Sequence, residues 1–357
     1  MPLVEHNKLP TFQRLREHGE VVLTLERALH QDIRELHIGL LNMMPDAALT
    51  ATEQQFIKLI GNCNQIAQFY VYPFSIPKLN RGPQAREHIK KFYFDFATLQ
   101  EQGLDALMIT GANVANPHLD QESFWEPLIE VVRWAEHNVA SVLCSCLATH
   151  ALLKHRHGIE RRPLPGKRWG VYNHRINWPE HPLMRDINTR FDAPHSRYNE
   201  IARSQLEQAG LTVLVESQEA GVHLAVSPDL FHVVYFQGHP EYDAISLLKE
   251  YKREVLRFLN GELETAPPYP ENYFSPEAAD IAHRFIEQAM SNGNATPEFP
   301  EAQLIAQVDN TWGDTGKAIV NNWLGLVYQL TNLDRKLQFM PGVDPGDPLQ
   351  LNAPSSR

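Results

Sequence analysis

The chain has 357 residues, and its 32 Lys+Arg against 43 Asp+Glu give a formal charge of −11. It contains no run of about 18 apolar residues, so a membrane span is excluded on hydropathy, and the acidic balance disfavours nucleic-acid backbones and anionic lipid surfaces as partners. Hydrophobic residues at 43% support a sizeable core without a metal or disulfide staple, and Cys63, Cys144 and Cys146 read as thiols of a reducing cytoplasm with no signal peptide before them.

In chain order, residues 1–35 are polar with one amphipathic stretch and read as an N-terminal helical arm. Leu36–Asn42 is a strand, followed by helical periodicity from Thr50 to Ile60 and a strand at Ala67–Val71. Ala106–Thr110 is a strand ending at Gly111-Ala112. Gln121–His137 is helical, and Val139–Cys144 is a short apolar strand leading into a helix over Leu147–His155. Residues 161–197, rich in Pro, His and Arg, read as long loops over a site. Strands return at Leu211–Glu216, His223–Ser227 and Val233–Gln237, and helices follow over Asp243–Leu259, Pro276–Ser291 and Thr315–Leu330. Strands alternating with helices predict an α/β fold with a mostly parallel sheet covered on both faces. The division is 1–35 as arm, 36–332 as the main domain, and 333–357 as a disordered tail.

A sulfur nucleophile works well on a sharp strand-to-helix turn, where helix N-terminal amides favour a thiolate and receive an oxyanion. The run Val139-Ala-Ser-Val-Leu-Cys-Ser-Cys-Leu147 has that layout. By itself it also suits a buried structural cysteine. A zinc site from Cys144, Cys146 and His150 is disfavoured, because no second Cys or His pair at ligand spacing accompanies them. A thiol needs a base, and Val233-Val-Tyr-Phe-Gln-Gly-His-Pro-Glu241 supplies His239 at a strand end with Glu241 two residues on to hold its ring.

The Cys146 segment, Gly238-His-Pro-Glu-Tyr-Asp243, Ala193-Pro-His-Ser-Arg-Tyr198, Gly170-Val-Tyr172, and Asn322-Trp323 with Tyr328-Gln329 together resemble the homoserine O-succinyltransferase family, whose fold is similar to class I glutamine amidotransferases. The similarity runs over about residues 36–331. It implies a ping-pong acyl transfer in methionine synthesis, from succinyl-CoA as co-substrate to the L-homoserine hydroxyl, with no further cofactor and no metal. It also implies a cytoplasmic homodimer. By this resemblance Cys146 carries the acyl group, His239 is general base and acid, and Glu241 fixes its tautomer, while Cys144 is structural. Lys167, Ser196 and Arg253 contact substrate. Backbone amides at Gly111, Ala112 and Leu147 form the oxyanion hole. Donor choice rests on the position of Ala115, where a glutamate accompanies acetyl-CoA and a small residue leaves room for succinyl. The loop Met44-Pro-Asp-Ala-Ala-Leu-Thr50 lacks the lysine common there in relatives. The rival readings are an acetyl-CoA enzyme and a glutaminase.

Overall fold

The computed structural model describes residues 3–63, 67–291 and 298–351. The chain opens with β1 (Leu3–Glu5), α1 (Pro10–Glu17), β2 (Val22–Thr24) and α2 (Leu25–Leu29). Then come β3 (Glu35–Leu41), α3 (Asp46–Gly61), β4 (Gln68–Phe74), α4 (Pro83–Phe92), α5 (Phe96–Gln102), β5 (Ala106–Ile109), α6 (Trp125–Asn138), β6 (Ser141–Ser145) and α7 (Leu147–His157). The second half holds β7 (Arg162–Ile176), β8 (Arg190–Glu200), α8 (Arg203–Gln208), β9 (Thr212–Ser217), β10 (Gly221–Val226), β11 (Val233–Phe236) and α9 (Ser246–Leu259). It closes with α10 (Pro276–Ser291), α11 (Glu301–Ile305) and α12 (Gly313–Leu330).

Among the described residues the strands form one 11-stranded sheet in the order β2, β1, β4, β3, β5, β6, β11, β10, β9, β7, β8. Pairing is parallel from β2 to β11 and antiparallel from β11 to β8. This is the expected α/β class. Alternate residues of each central strand serve opposite faces. On β6, Leu143 joins the core that contains Phe56 of α3 and Trp323 of α12, while Val142 and Cys144 join the core under α6 and α7. A third cluster packs Leu248 and Tyr251 of α9 and Phe285 of α10 against Trp169 of β7. No helix of the described residues is long and apolar enough to cross a membrane.

Three stretches differ from expectation. The expected helical arm contributes two strands, with Leu3 and Val4 buried and β1 paired to both β2 and β4. Three-residue strands are too short to print a periodicity. Residues 161–197 form most of a long hairpin, β7 with β8, rather than loops. Its buried positions carry His174, His195 and Arg197, so polar side chains occupy places where apolar alternation would have revealed a strand. The expected tail is ordered where described. Gln338 Nε2 donates to the carbonyls of Glu136 at 3.1 Å and Val139 at 2.9 Å, and Val343, Leu349 and Leu351 pack on the core. Scattered apolar anchors of this kind are invisible to a composition argument, and residues 352–357 lie outside the described residues.

Trp323 ties α12 to the sheet. Its ring is fully buried, and its Nε1 donates to Ser141 Oγ at 2.8 Å, which in turn donates to the Phe231 carbonyl at 2.7 Å. Trp323→Ala removes a large core side chain and leaves Ser141 without that donor. A loss of about 3–5 kcal/mol in urea unfolding is expected.

Candidate active site

The parallel strands β3, β5, β6 and β11 end on one edge of the sheet, where open α/β folds gather functional groups. At the end of β6 the chain must reverse into α7 within one residue. That residue is Cys146, with φ 53° and ψ −111°. The conformation is one that a non-glycine residue rarely adopts, and it places Cys146 at the N-terminus of α7. The turn is braced from beneath: Cys146 N donates to the Phe236 carbonyl at 2.8 Å, and Thr149 Oγ1 donates to the carbonyls of Phe236 at 2.7 Å and Cys144 at 3.1 Å. Cys144 is fully buried and its thiol is pushed up by that burial, which suits a structural residue.

Because β11 lies beside β6 with Phe236 opposite Ser145, the segment leaving β11 arrives next to Cys146. His239 is there. Its Nδ1 donates to Glu241 Oε1 at 2.8 Å, and Ser145 Oγ donates to the same carboxylate at 3.3 Å. Its Nε2 has no oxygen or nitrogen partner and interacts with the Cys146 sulfur. Burial opposes the ring's charge, but Glu241 and Cys146 outweigh it and hold His239 well above its ordinary value of 6.5. That shift favours the charged form of the ring. Tyr242 stacks on it with ring centroids 4.2 Å apart.

Gly111 closes the other side. A Cβ there would stand 3.6 Å from Cys146 Cβ and 3.9 Å from Leu147 N, so this backbone passes close to Cys146. Leu147 N is the first amide of α7, which no residue within the helix can satisfy. Ala112 follows, and Ala115 is exposed, with its N–H and that of Asn116 both donating to Glu122 Oε1 at 2.7 and 2.6 Å. The lysine-free loop after β3 is braced by Arg81, which donates to the carbonyls of Met44 and Asn42.

A second cluster adjoins the triad. Glu250 on α9 accepts from Lys167 Nζ at 2.8 Å, Ser196 Oγ at 2.7 Å and the Tyr242 hydroxyl at 2.7 Å. Burial pushes its carboxyl up, but Lys167 and the three donors prevail and keep it below the ordinary range. Lys167 also sits over the Trp169 ring at 4.1 Å. Lys167 and Ser196 are thus brought together on one carboxylate. Arg253 is not in this cluster: it lies one helical turn beyond Glu250, largely exposed, with its Nε donating to Glu254 at 3.0 Å. Glu250 was missed by sequence reading because a lone glutamate on a charged helix face has no local signature.

Beneath Gly238 and His239 lies a buried histidine stack. His174, His195 and His223 offer ring nitrogens all within 4.8 Å of one another, the spacing of a metal site. Their hydrogen bonds argue otherwise. Arg197 Nε donates to His195 Nδ1 at 3.3 Å, His195 Nε2 then donates to His174 Nε2 at 3.1 Å, and His174 Nδ1 donates to the Tyr172 carbonyl at 2.8 Å. That chain uses the free lone pairs of two of the three rings. Burial pushes His174 down to about 4 and the other two well below 6.5, so the stack is a neutral bed under the His239 backbone.

The model of the family described as homoserine O-succinyltransferase matches residues 2–333. The chain is 60% identical over 354 residues to the homoserine O-succinyltransferase of Methylococcus capsulatus, covering 98% of this chain and 100% of that one. It belongs to the homoserine O-succinyltransferase family. The Methylobacter tundripaludum enzyme of the same name is 59% identical, again over 98% of this chain and 100% of the other. Among solved structures, a glutamine amidotransferase from Methylobacillus flagellatus is similar at 13% identity with a TM-score of 0.45, covering 87% of this chain and 97% of that chain. The chain is accordingly an acyltransferase of methionine biosynthesis.

The raised His239 has a consequence for stability. A group whose folded value lies above its unfolded value contributes stability that is fully present below the unfolded value, about 6.5, and is lost as pH rises through the folded value. Urea unfolding followed from about pH 6.5 to about pH 9 should therefore show wild-type stability falling more steeply than that of His239→Asn. Parallel curves for the two proteins would contradict the charged assignment.

Proposed function

We propose that the chain moves a succinyl group from succinyl-CoA to the hydroxyl of L-homoserine through a thioester on Cys146. The observation that carries this reading is the Cys146 elbow beside a Glu241-anchored His239 whose Nε2 is left free of other polar partners. In the first half-reaction the Cys146 sulfur attacks the thioester carbonyl, and the oxyanion forms against the amides at Leu147 and Gly111-Ala112. The carbon–sulfur bond to coenzyme A breaks, and the proton of His239 passes to the departing thiolate. Cys146 is now a neutral thioester and the imidazole is neutral, with its Nε2 lone pair facing the acyl carbon's surroundings.

Neutral His239 then takes the hydroxyl proton of homoserine as its oxygen attacks the Cys146 thioester. Collapse of the second oxyanion forms the O-succinyl ester and expels the Cys146 thiolate, leaving His239 protonated for the next cycle. Glu241 keeps Nδ1 as the donor to its carboxylate throughout, so Nε2 serves both substrates.

For homoserine, the Glu250 cluster has the chemistry of a zwitterion site. In this reading Glu250 takes the ammonium group, Lys167 and Ser196 meet the carboxylate, and Arg253, one turn along α9, turns from Glu254 to join them. Ala115 leaves the acyl loop without a side-chain carboxylate at the donor-selecting position, which favours a succinyl over an acetyl donor. The same reading includes a homodimer in the cytoplasm and no cofactor or metal beyond the co-substrate. Initial rates with both substrates varied should give parallel double-reciprocal lines. In Glu250→Gln the KM for homoserine should rise about 10-fold or more, with a smaller change in the KM for succinyl-CoA. Intersecting lines, or hydrolysis of glutamine to ammonia instead of acyl transfer, would favour a different reaction.

A further inference from the structure

Two arginines interact electrostatically with the Cys146 sulfur, and they differ in what else they do. Arg197 is spent. Its three nitrogens donate to His195 Nδ1 at 3.3 Å, the Asn199 carbonyl at 2.8 Å and the Ala220 carbonyl at 2.6 Å. Arg161, between the left-handed Gly158 that ends α7 and the start of β7, is not. Its Nη2 donates to the carbonyls of Asn116 and Pro117, both at 3.1 Å, which places the guanidinium against the loop that carries Ala115. Its Nε is buried with no hydrogen-bond partner, and no carboxylate of the described residues lies within ion-pair distance of it. Glu122, the acid it feels most, is engaged with the Ala115 and Asn116 amides.

A half-buried guanidinium with an unused buried N–H is costly unless a ligand completes it. We propose that Arg161 is the residue that recognises the free carboxylate of the acyl group, pairing with it through Nε and Nη1 while the acyl carbon is bonded to Cys146. The inference rests on the succinyl-CoA reading above and deepens it. A succinyl thioester projects an anion two methylenes beyond its carbonyl, whereas an acetyl thioester projects nothing. A planar fork held beside the nucleophile by the loop's own carbonyls suits the first and is idle toward the second. On this account Ala115 makes the room and Arg161 supplies the attraction, so donor choice has both an excluding and an attracting element. The same arginine braces the loop, which is the bland role from which the assignment must be separated.

The test compares kcat/KM for succinyl-CoA and acetyl-CoA, with homoserine as acceptor, in wild type, Arg161→Gln and Arg161→Lys, with thermal unfolding to confirm that each variant folds. In Arg161→Gln succinyl transfer should fall about 10- to 100-fold more than acetyl transfer, the range lost with a charge-assisted pair, and Arg161→Lys should recover part of the difference. If wild type prefers succinyl-CoA and Arg161→Gln loses both donors equally, Arg161 only braces the loop and the assignment is overturned. A wild type that prefers acetyl-CoA overturns the donor reading, and the assignment with it.

Discussion

The backbone at Cys146 is the constraint around which the site is built. Holding a cysteine at φ 53°, ψ −111° costs on the order of 1–3 kcal/mol, and such a conformation persists only where its surroundings leave no alternative. Here the surroundings are specific. The Phe236 carbonyl receives both the Cys146 amide and the Thr149 hydroxyl, so one backbone oxygen of β11 fixes the end of β6 and the first turn of α7 together. With the chain pinned in this way Cys146 sits at the N-terminus of α7, whose first amide, Leu147 N, has no partner within the helix.

The strand that braces Cys146 also brings His239 beside it. Parallel pairing of β6 with β11 sets Phe236 opposite Ser145, and three residues later His239 stands beside Cys146 with its own amide donating to Pro194 of the β8 hairpin strand at 2.9 Å. Gly238 has no Cβ because His223 Nδ1 and the Pro194 carbonyl lie where it would go, at 2.5 and 2.9 Å. The neutral histidine stack thus fills the volume under the turn that carries His239. From His239 the order passes through stacked Tyr242 to Glu250, and from there to Lys167 and Ser196. The Cys146–His239 pair and the Glu250 cluster are joined through one carboxylate and one ring.

The central strands, the elbow and the His239-Glu241 pair could all be read in the sequence, because each is local: an apolar run, then a nucleophile or base within a few residues of its end. What escaped depends on long-range packing. The β7 and β8 strands bury His174, His195 and Arg197, whose cost is met by hydrogen bonds to one another and to distant carbonyls, so their hydropathy resembles that of a loop. The first two strands are three residues long, and they join the sheet only where β1 pairs with β4, more than 60 positions away in sequence. Glu250 and Arg161 acquire meaning only from neighbours on other elements. Arg253 was placed by resemblance alone, and its side chain lies along α9 toward Glu254 rather than in the cluster.

Intact-protein mass spectrometry with peptide mapping, after brief exposure to succinyl-CoA and then a chase with homoserine, follows the acyl group from donor to acceptor. The account predicts a succinyl adduct on Cys146, none on Cys144, and its discharge when homoserine is added. An adduct on Cys144, or a Cys146 adduct that homoserine does not remove, would contradict it.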